Sequence, residues 1–494
     1  MTLAAAKAET KGNGAEIPCL TFKLTVQQQA ILNELLSWCF AKTTDTTKTL
    51  AGYAGTGKTT IIHALVSKLS RRLNIYVTAP THKAVKVLSQ RITAADDFMY
   101  ETVTSLSTIH SLLGIKPKRT LPHEPETFIQ NRKPQIQPKS LIIVDECSMI
   151  GVELYDLIVM AATNYSCKLL FTGDPKQLQP INERSISQTF NVPDTFQLTD
   201  VLRHDGAILD LATKVRTTPR GGIPRIVARQ GDSSQVVTYS SLDFLTRSWL
   251  KQLADSPEDV IFLCWKNKTR RELNRMARQL LYGDDVPEFM AGDRLVMIEA
   301  YERGGQVVLS NNQDIMVRDV EPVVVKPIES AEYQYDAWLL HLHNAEPIHV
   351  LASHEIDRFT KDHKALASEL SSQSKVSKVQ YDKVLAYYKD KEHTNVLQAA
   401  AQVAGVKKRW ATEYFPLKYF FAQVDFGYAV TIHKSQGSTY KNVFIHNDYY
   451  SSPERLQLLY VAVTRASHSV HHLEVDSSKK RTISAAARSQ YMSS

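Results

Sequence analysis

At 494 residues the chain has room for about three domains and can bury a core without disulfide or metal staples. Its 43% hydrophobic and 22% charged residues exclude a disordered chain, and a net charge of +8 is compatible with a polyanionic partner such as nucleic acid. No apolar run approaches the ~20 residues of a membrane-spanning helix, so no membrane partner is expected.

Residues 1–20 are small and polar and lack the apolar core of a secretion signal, which predicts a flexible tail and a cytoplasmic protein. The five cysteines (Cys19, Cys39, Cys147, Cys167, Cys264) lie far apart, so neither a zinc ribbon nor a disulfide framework is expected. Ile61, Ile62, Leu65, Val66 and Leu69 recur at helical spacing. Ile75–Ala79, Leu141–Val144 and Leu169–Phe171 are short apolar runs between helices, the pattern of a parallel sheet covered on both faces. From Gly114 to Pro138 five prolines interrupt the pattern, and the segment reads as an excursion from the sheet edge. A second α/β pattern follows, with strands at Gln235–Tyr239 and Val260–Cys264 around a helix at Phe244–Leu253. Short alternating segments from Gly292 to Leu351, with turns at Gly304-Gly305 and Asn311-Asn312, predict a small barrel or curled sheet. Leu351 to Phe415 has no proline and one glycine, and Val376, Val379, Val384, Tyr387 and Tyr388 sit at helical offsets, predicting a helical protrusion. Strands resume at Tyr428–Val430 and Val443–Ile445. The reading is two α/β domains, the second interrupted by an insertion.

Gly52-Tyr53-Ala54-Gly55-Thr56-Gly57-Lys58-Thr59 matches G-x-x-x-x-G-K-[ST] throughout. Such a loop curls backbone N–H groups around phosphate oxygens, and the helix that follows turns its positive end toward them. Lys58 is expected to reach the β- and γ-phosphates of ATP, and the Thr59 hydroxyl to bind Mg²⁺. Asp145-Glu146 ends an apolar strand, which suits metal-assisted phosphoryl transfer. Asp145 is expected to hold Mg²⁺ through water, and Glu146 to orient and deprotonate the attacking water. Gln177, in the loop after Leu170-Phe171-Thr172, is placed to sense the γ-phosphate or that water.

These motifs belong to a longer ordered set that resembles superfamily 1 helicases, most nearly the phage Dda-type and RecD-like members of the 1B branch. Leu24–Gln28 resembles the Q-motif, Gly52–Thr59 motif I, Ala79–Ala84 motif Ia, Ser107–Ser111 motif Ib, Asp145–Met149 motif II and Gly173–Pro180 motif III. Leu198–Arg203 resembles motif IV, Thr431–Ser438 motif V and Leu459–Ala466 motif VI. The resemblance implies two RecA-like P-loop NTPase domains, 21–190 and 191–291 with 421–476, holding ATP in the cleft between them. It implies a small 1B pin at 112–138, an SH3-like β-barrel with a helical tower (2B) at 292–420, and a basic tail at 477–494. The charged tower is longer than the family pattern.

Around ATP the resemblance places Gln28, in the adenine-recognising position, with Gly52, Gly55, Thr56, Gly57, Lys58, Thr59, Thr60, Gln177 and Gly437. Arg203 and Arg465 would meet the γ-phosphate only when the cleft closes. Pro80, Thr81, His82, Lys83, Thr108 and His110 would contact DNA from loops of one domain, and Thr431, His433, Lys434 and Ser435 from the matching loop of the other. Phe128 reads equally as a base-stacking pin tip or a core aromatic. The implied activity is an ATP-dependent DNA helicase moving 5′ to 3′ on single-stranded and fork DNA, working as a monomer. A translocase that strips proteins from DNA with little unwinding is the alternative. Single-strand-binding or replication proteins are candidate partners.

Overall fold

The computed structural model describes residues 24–43, 45–69, 72–95, 103–118, 127–180, 183, 185–201, 206–219, 222, 224–303, 306–328, 333–388 and 394–474. The expected tails, the Gly304-Gly305 turn and Arg203 lie outside them.

The first α/β unit contains β1 (Thr47–Gly52), β2 (Ile75–Ala79), β3 (Ser105–Thr108), β4 (Ile115–Lys118), β5 (Thr127–Gln130), β6 (Leu141–Val144), β7 (Lys168–Gly173) and β8 (Thr195–Leu198). Six of these strands form a wholly parallel sheet in the order β3-β2-β6-β7-β1-β8. Every residue of β2 and β6 is buried, because helices cover both faces and a central parallel strand has no solvent side. The helices are α1 (Val26–Phe40), α2 (Lys58–Leu69), α3 (His82–Ala95), α4 (Ile109–Leu113) and α5 (Val152–Asn164). The apolar stripe of α2 is buried to the last residue, as its spacing predicts. The remaining strands, β4 and β5, form a separate antiparallel ribbon that leaves the sheet after α4.

The second unit runs through α6 (Gly206–Thr217), β9 (Arg229–Gln230), β10 (Gln235–Tyr239), α7 (Leu242–Asp255), β11 (Val260–Cys264) and α8 (Asn267–Tyr282). The chain then leaves it for β12 (Arg294–Met297), β13 (Tyr301–Arg303), β14 (Gln306–Leu309), β15 (Asp314–Val325), β16 (Tyr335–Leu342) and β17 (Ile348–Leu351). Next come two long antiparallel helices, α9 (Ile356–Tyr388) and α10 (Thr394–Arg409), and then α11 (Phe415–Tyr419) and β18 (Val424–Phe426). The second unit resumes with β19 (Ala429–Thr431), β20 (Tyr440–Ile445), α12 (Arg455–Val463) and β21 (Ala466–Leu473). Its sheet has the order β19-β11-β20-β21-β10-β9, parallel except at the β9 edge. Two parallel-sheet α/β units with an inserted antiparallel sheet make up the RecA-like fold class expected from sequence.

The inserted sheet is antiparallel in the order β17-β16-β15-β12-β18. Helix α9 has 33 residues, so it extends about 50 Å. At its root Phe359, Leu366 and Leu370 pack with Tyr335, Leu417 and Phe421. Val376, Val379 and Tyr387 face solvent instead; the helix is where its spacing predicts, but those apolar residues do not form its packed face. Arg409 ties the two long helices together, reaching Glu413 on its own side and Glu369 at 2.9 Å on α9. A π-helical turn (Trp410–Tyr414) joins α10 to α11, and Pro416 follows it; proline lacks the N–H that would continue a regular α ladder. The insertion is rooted by a bidentate pair in which Arg278 Nε and Nη2 each donate to Asp293 at 3.0 Å. Asp293 has no exposed surface, and Tyr428 donates to it at 3.1 Å, so the buried charge is fully partnered. Among the described residues no helix is long and apolar enough to cross a membrane.

Candidate functional site

Strands β6, β7 and β1 are neighbours and run the same way, so the loops after them leave one edge of the sheet side by side. After β1 the chain turns through Gly55 and Gly57, both at φ 83°, a region that glycine enters without strain. A Cβ on Gly57 would also collide with the Gln28 amide. Gln28 Nε2 donates to the Thr56 carbonyl at 3.1 Å, and its Oε1 accepts the Thr25 N–H at 3.0 Å to complete a capping box on α1. Gln28 therefore braces the loop from behind. Lys58 Nζ donates to the carbonyls of Gly52 and Tyr53 at 2.7 and 3.0 Å, and the Thr56 hydroxyl to Tyr53 at 2.9 Å.

After β6, Asp145 accepts a hydrogen bond from the Thr172 hydroxyl. Glu146 has φ 52°, which a non-glycine residue holds only where its surroundings fix it. Burial, and then the neighbouring Asp145, push the Glu146 carboxyl above the usual carboxylate range, while Arg465 and Lys58 pull it back. Burial lowers Arg465 in turn, and Glu146 opposes that shift. The two groups come from different α/β units and face one another electrostatically.

A cavity of about 260 Å³ brings these groups together. The first unit contributes Gly55, Gly57, Lys58, Thr59, Thr60, Asp145, Glu146 and Gln177; the second contributes Gly437 and Arg465. Gln177 Oε1 is buried without a hydrogen-bond partner, and the side chain forms part of the cavity wall. Gln28, Gly52 and Thr56 lie behind the loop rather than in the cavity lining. Ala84, Val87 and Leu88 of α3 form an apolar side of the cavity; Ala84 ends a motif, and the other two lie beyond any.

The candidate DNA-contacting residues end β2, β3 and β19. They are not all in loops: His82 and Lys83 open α3, His110 lies in α4, and Thr431 closes β19. Pro80 leads into α3, and Thr81 caps it, accepting the Ala84 N–H at 3.2 Å. Thr108 is buried and caps α4 by accepting the Ser111 N–H at 3.2 Å. Ser435 is fully buried, its hydroxyl donating to the Ile432 carbonyl at 2.7 Å. Burial lowers the pKa of His82 and His433; His110 is pushed down to about 4, first by burial and then by His82. Lys434 is also lowered, by burial and by the charges of Arg270 and Lys83, so Lys83 and Lys434 approach each other from the two units. Lys83 is paired with Asp314 of the inserted sheet at 3.5 Å. Phe128 lies within β5, half-buried, its ring 5.3 Å from His110 and its N–H donating to Glu153 at 3.0 Å. It is in the strand, and residues 119–126, between β4 and β5, lie outside the described residues.

Sequence reasoning also passed over Tyr460 and Asp174. The Tyr460 hydroxyl donates to Asp174 at 2.9 Å, but the two residues are 286 positions apart, and each looks locally like a core or turn residue.

Fold and site together define a P-loop nucleotide-binding protein whose cleft is built from two parallel-sheet units. Residues 23–238 match the AAA domain family, and residues 426–471 match the UvrD-like helicase C-terminal domain. A protein of Acanthamoeba polyphaga mimivirus described as uncharacterized is 25% identical over 507 residues, covering 89% of this chain and 98% of the relative. The ATP-dependent DNA helicase dda of Enterobacteria phage T4 is 28% identical over 460 residues, covering 86% of this chain and 94% of the relative. A solved structure of two coordinating Pif1 helicases at forked double-stranded DNA is 16% identical, covers 95% of this chain and 98% of its own, and has a TM-score of 0.49. The ordered motifs, the two family matches and the similarity to Dda and RecD proteins place the chain among the superfamily 1B helicases.

Proposed function

We propose that this chain is an ATP-dependent DNA helicase that moves 5′ to 3′ on single-stranded DNA and separates duplex strands. The observation that carries the reading is the make-up of one cavity, with Lys58, Asp145 and Glu146 from one α/β unit and Gly437 and Arg465 from the other. A site assembled from two units ties turnover to their relative position, which a motor requires. The similarity to a phage protein named as an ATP-dependent DNA helicase supports the same reading.

The side chains fit ATP with Mg²⁺. Glycines at positive φ leave room for phosphates against backbone N–H groups, Lys58 and Arg465 supply cations, and Gln177 offers an unpartnered oxygen. Thr59 and Asp145 are the oxygen donors that would hold Mg²⁺, which when bound neutralises charge on the β- and γ-phosphate oxygens. Glu146 takes the proton of the attacking water. Gln177 orients that water, and Arg465 stabilises charge on the transferring phosphoryl group. Arg203 is assigned the same duty on the resemblance alone. Lys83 and Lys434 carry the phosphates of the DNA track, and sequence-blind contacts of that kind suit a motor. Polarity, action as a monomer and a cytoplasmic setting in a bacterial or phage-infected cell also follow from the resemblance.

The test is strand separation on two matched duplexes, one with a 5′ tail and one with a 3′ tail. ATP-dependent opening of the 5′-tailed substrate alone is expected. Opening of the 3′-tailed substrate alone would overturn the polarity. If neither opens while single-stranded DNA still stimulates ATP turnover, the protein is a translocase. Glu146→Gln, which removes the base, is expected to cost at least ~100-fold in turnover.

A further inference from the structure

Helix α12 of the second unit carries Tyr460, and Arg465 follows its last turn. Tyr460 is 2% exposed, and its hydroxyl reaches across to the first unit. There it accepts the Ala54 N–H at 3.2 Å, in the P-loop, and donates to Asp174 Oδ2 at 2.9 Å, at the end of β7. Asp174 is fully buried; its other oxygen accepts the Lys176 N–H at 2.9 Å, and its carbonyl accepts the Gln177 N–H at 3.1 Å. One phenol thus touches the loop that carries Lys58 and the turn that carries Gln177, using both its donor and its acceptor capacity. Burial and Asp174 raise the phenol's pKa, which keeps it a proton donor. Arg216 of α6 stacks on Tyr53, 3.6 Å from the ring centre, a second grip from the same unit on the same loop.

The other side of α12 explains what the grip achieves. The Thr464 hydroxyl donates to the Tyr460 carbonyl at 2.9 Å, Arg465 Nε donates to Val461 at 3.3 Å, and Arg465 Nη2 donates to Thr464 at 3.4 Å. The guanidinium is fastened to the turn that Tyr460 anchors. We propose that Tyr460 is a positioning residue for hydrolysis: by tying α12 to the P-loop and to the Asp174 turn, it sets Arg465 against Glu146 and Gln177. This rests on the reading of Arg465 as the group that stabilises phosphoryl charge.

The experiment is a double-mutant cycle on the full chain, with ATP turnover at saturating single-stranded DNA measured for Tyr460→Phe, Arg465→Ala and the pair. Tyr460→Phe keeps the ring and removes only the hydroxyl. Its kcat is expected to fall about tenfold, as befits a lost hydrogen bond to a charged group, with KM for ATP changed by less than about threefold. Arg465→Ala is expected to cost clearly less in the Tyr460→Phe background than in the wild type, because both changes remove one function. A role in folding alone would lower the unfolding midpoint and leave the losses additive. Additive losses with Arg465 essential, or an unchanged kcat in Tyr460→Phe, overturn the assignment of Tyr460. Full turnover in Arg465→Ala overturns the reading beneath it and the assignment with it.

Discussion

His82, His110 and His433 gather where the DNA track is proposed, and burial lowers the pKa of all three, His110 to about 4. Each is therefore neutral at pH 7, which leaves the cationic contacts to Lys83 and Lys434. Affinity for single-stranded DNA is expected to stay nearly flat from pH 6.5 to pH 8.5 at fixed salt, as fluorescence anisotropy would read it. A tightening beyond about threefold as pH falls toward 6.5 would show that a histidine gains a proton on binding, and would sink that division of labour. At this scale the make-up of the cavity was legible in the sequence. Lys58, Asp145, Glu146, Gln177 and Arg465, each picked out by its motif, line it together. Tyr460 was illegible because a phenol on an apolar helix looks like packing until its distant carboxylate is seen.

The β4–β5 ribbon packs onto the first unit through Ile115, which is 6% exposed, and through Phe128 against His110. Its strands are anchored, so shortening only the connection at residues 119–126 leaves the base in place. That change is expected to abolish strand separation while single-stranded DNA still stimulates ATP turnover within about twofold of wild type. Unwinding at the wild-type rate would remove the ribbon from the mechanism. Strands β2, β6 and β11 could be read to the residue, because a strand buried along its whole length reads as a mainly apolar run; β10 also falls where it was read, although only Val236 of it is buried. The edge strands β3 and β8 could not: Ser105–Thr108 is largely polar, Thr195–Leu198 is only four residues of mixed character, and both take their form from parallel pairing with β2 and β1. The outer half of α9 misled for the opposite reason, since Val376, Val379 and Tyr387 keep a helical spacing yet stay largely exposed.

Across the whole molecule, each pair of units is joined by a polar contact. Tyr460 links the first α/β unit to the second, the Arg278–Asp293 pair roots the insertion in the second, and Lys83–Asp314 links the insertion to the first. The last contact changes how binding responds to salt. A lysine that takes up a DNA phosphate ordinarily frees a condensed cation into solution, and the entropy of that release drives association. Lys83 already holds a carboxylate, so taking up a phosphate strands Asp314, which recruits a cation of its own. On the proposed placement of Lys83 against a DNA phosphate, Asp314 acts as a tethered counterion, and the exchange at this position is expected to be nearly neutral in free ions. Asp314→Asn is expected to tighten binding at low salt and to steepen log Kobs against log[salt] by about 0.7, one single-strand phosphate's worth. An unchanged slope would mean that the carboxylate stays on Lys83 when DNA is bound. On that reading, with Asp314 in place the hold on single-stranded DNA is expected to be less sensitive to ionic strength than a count of lysines implies.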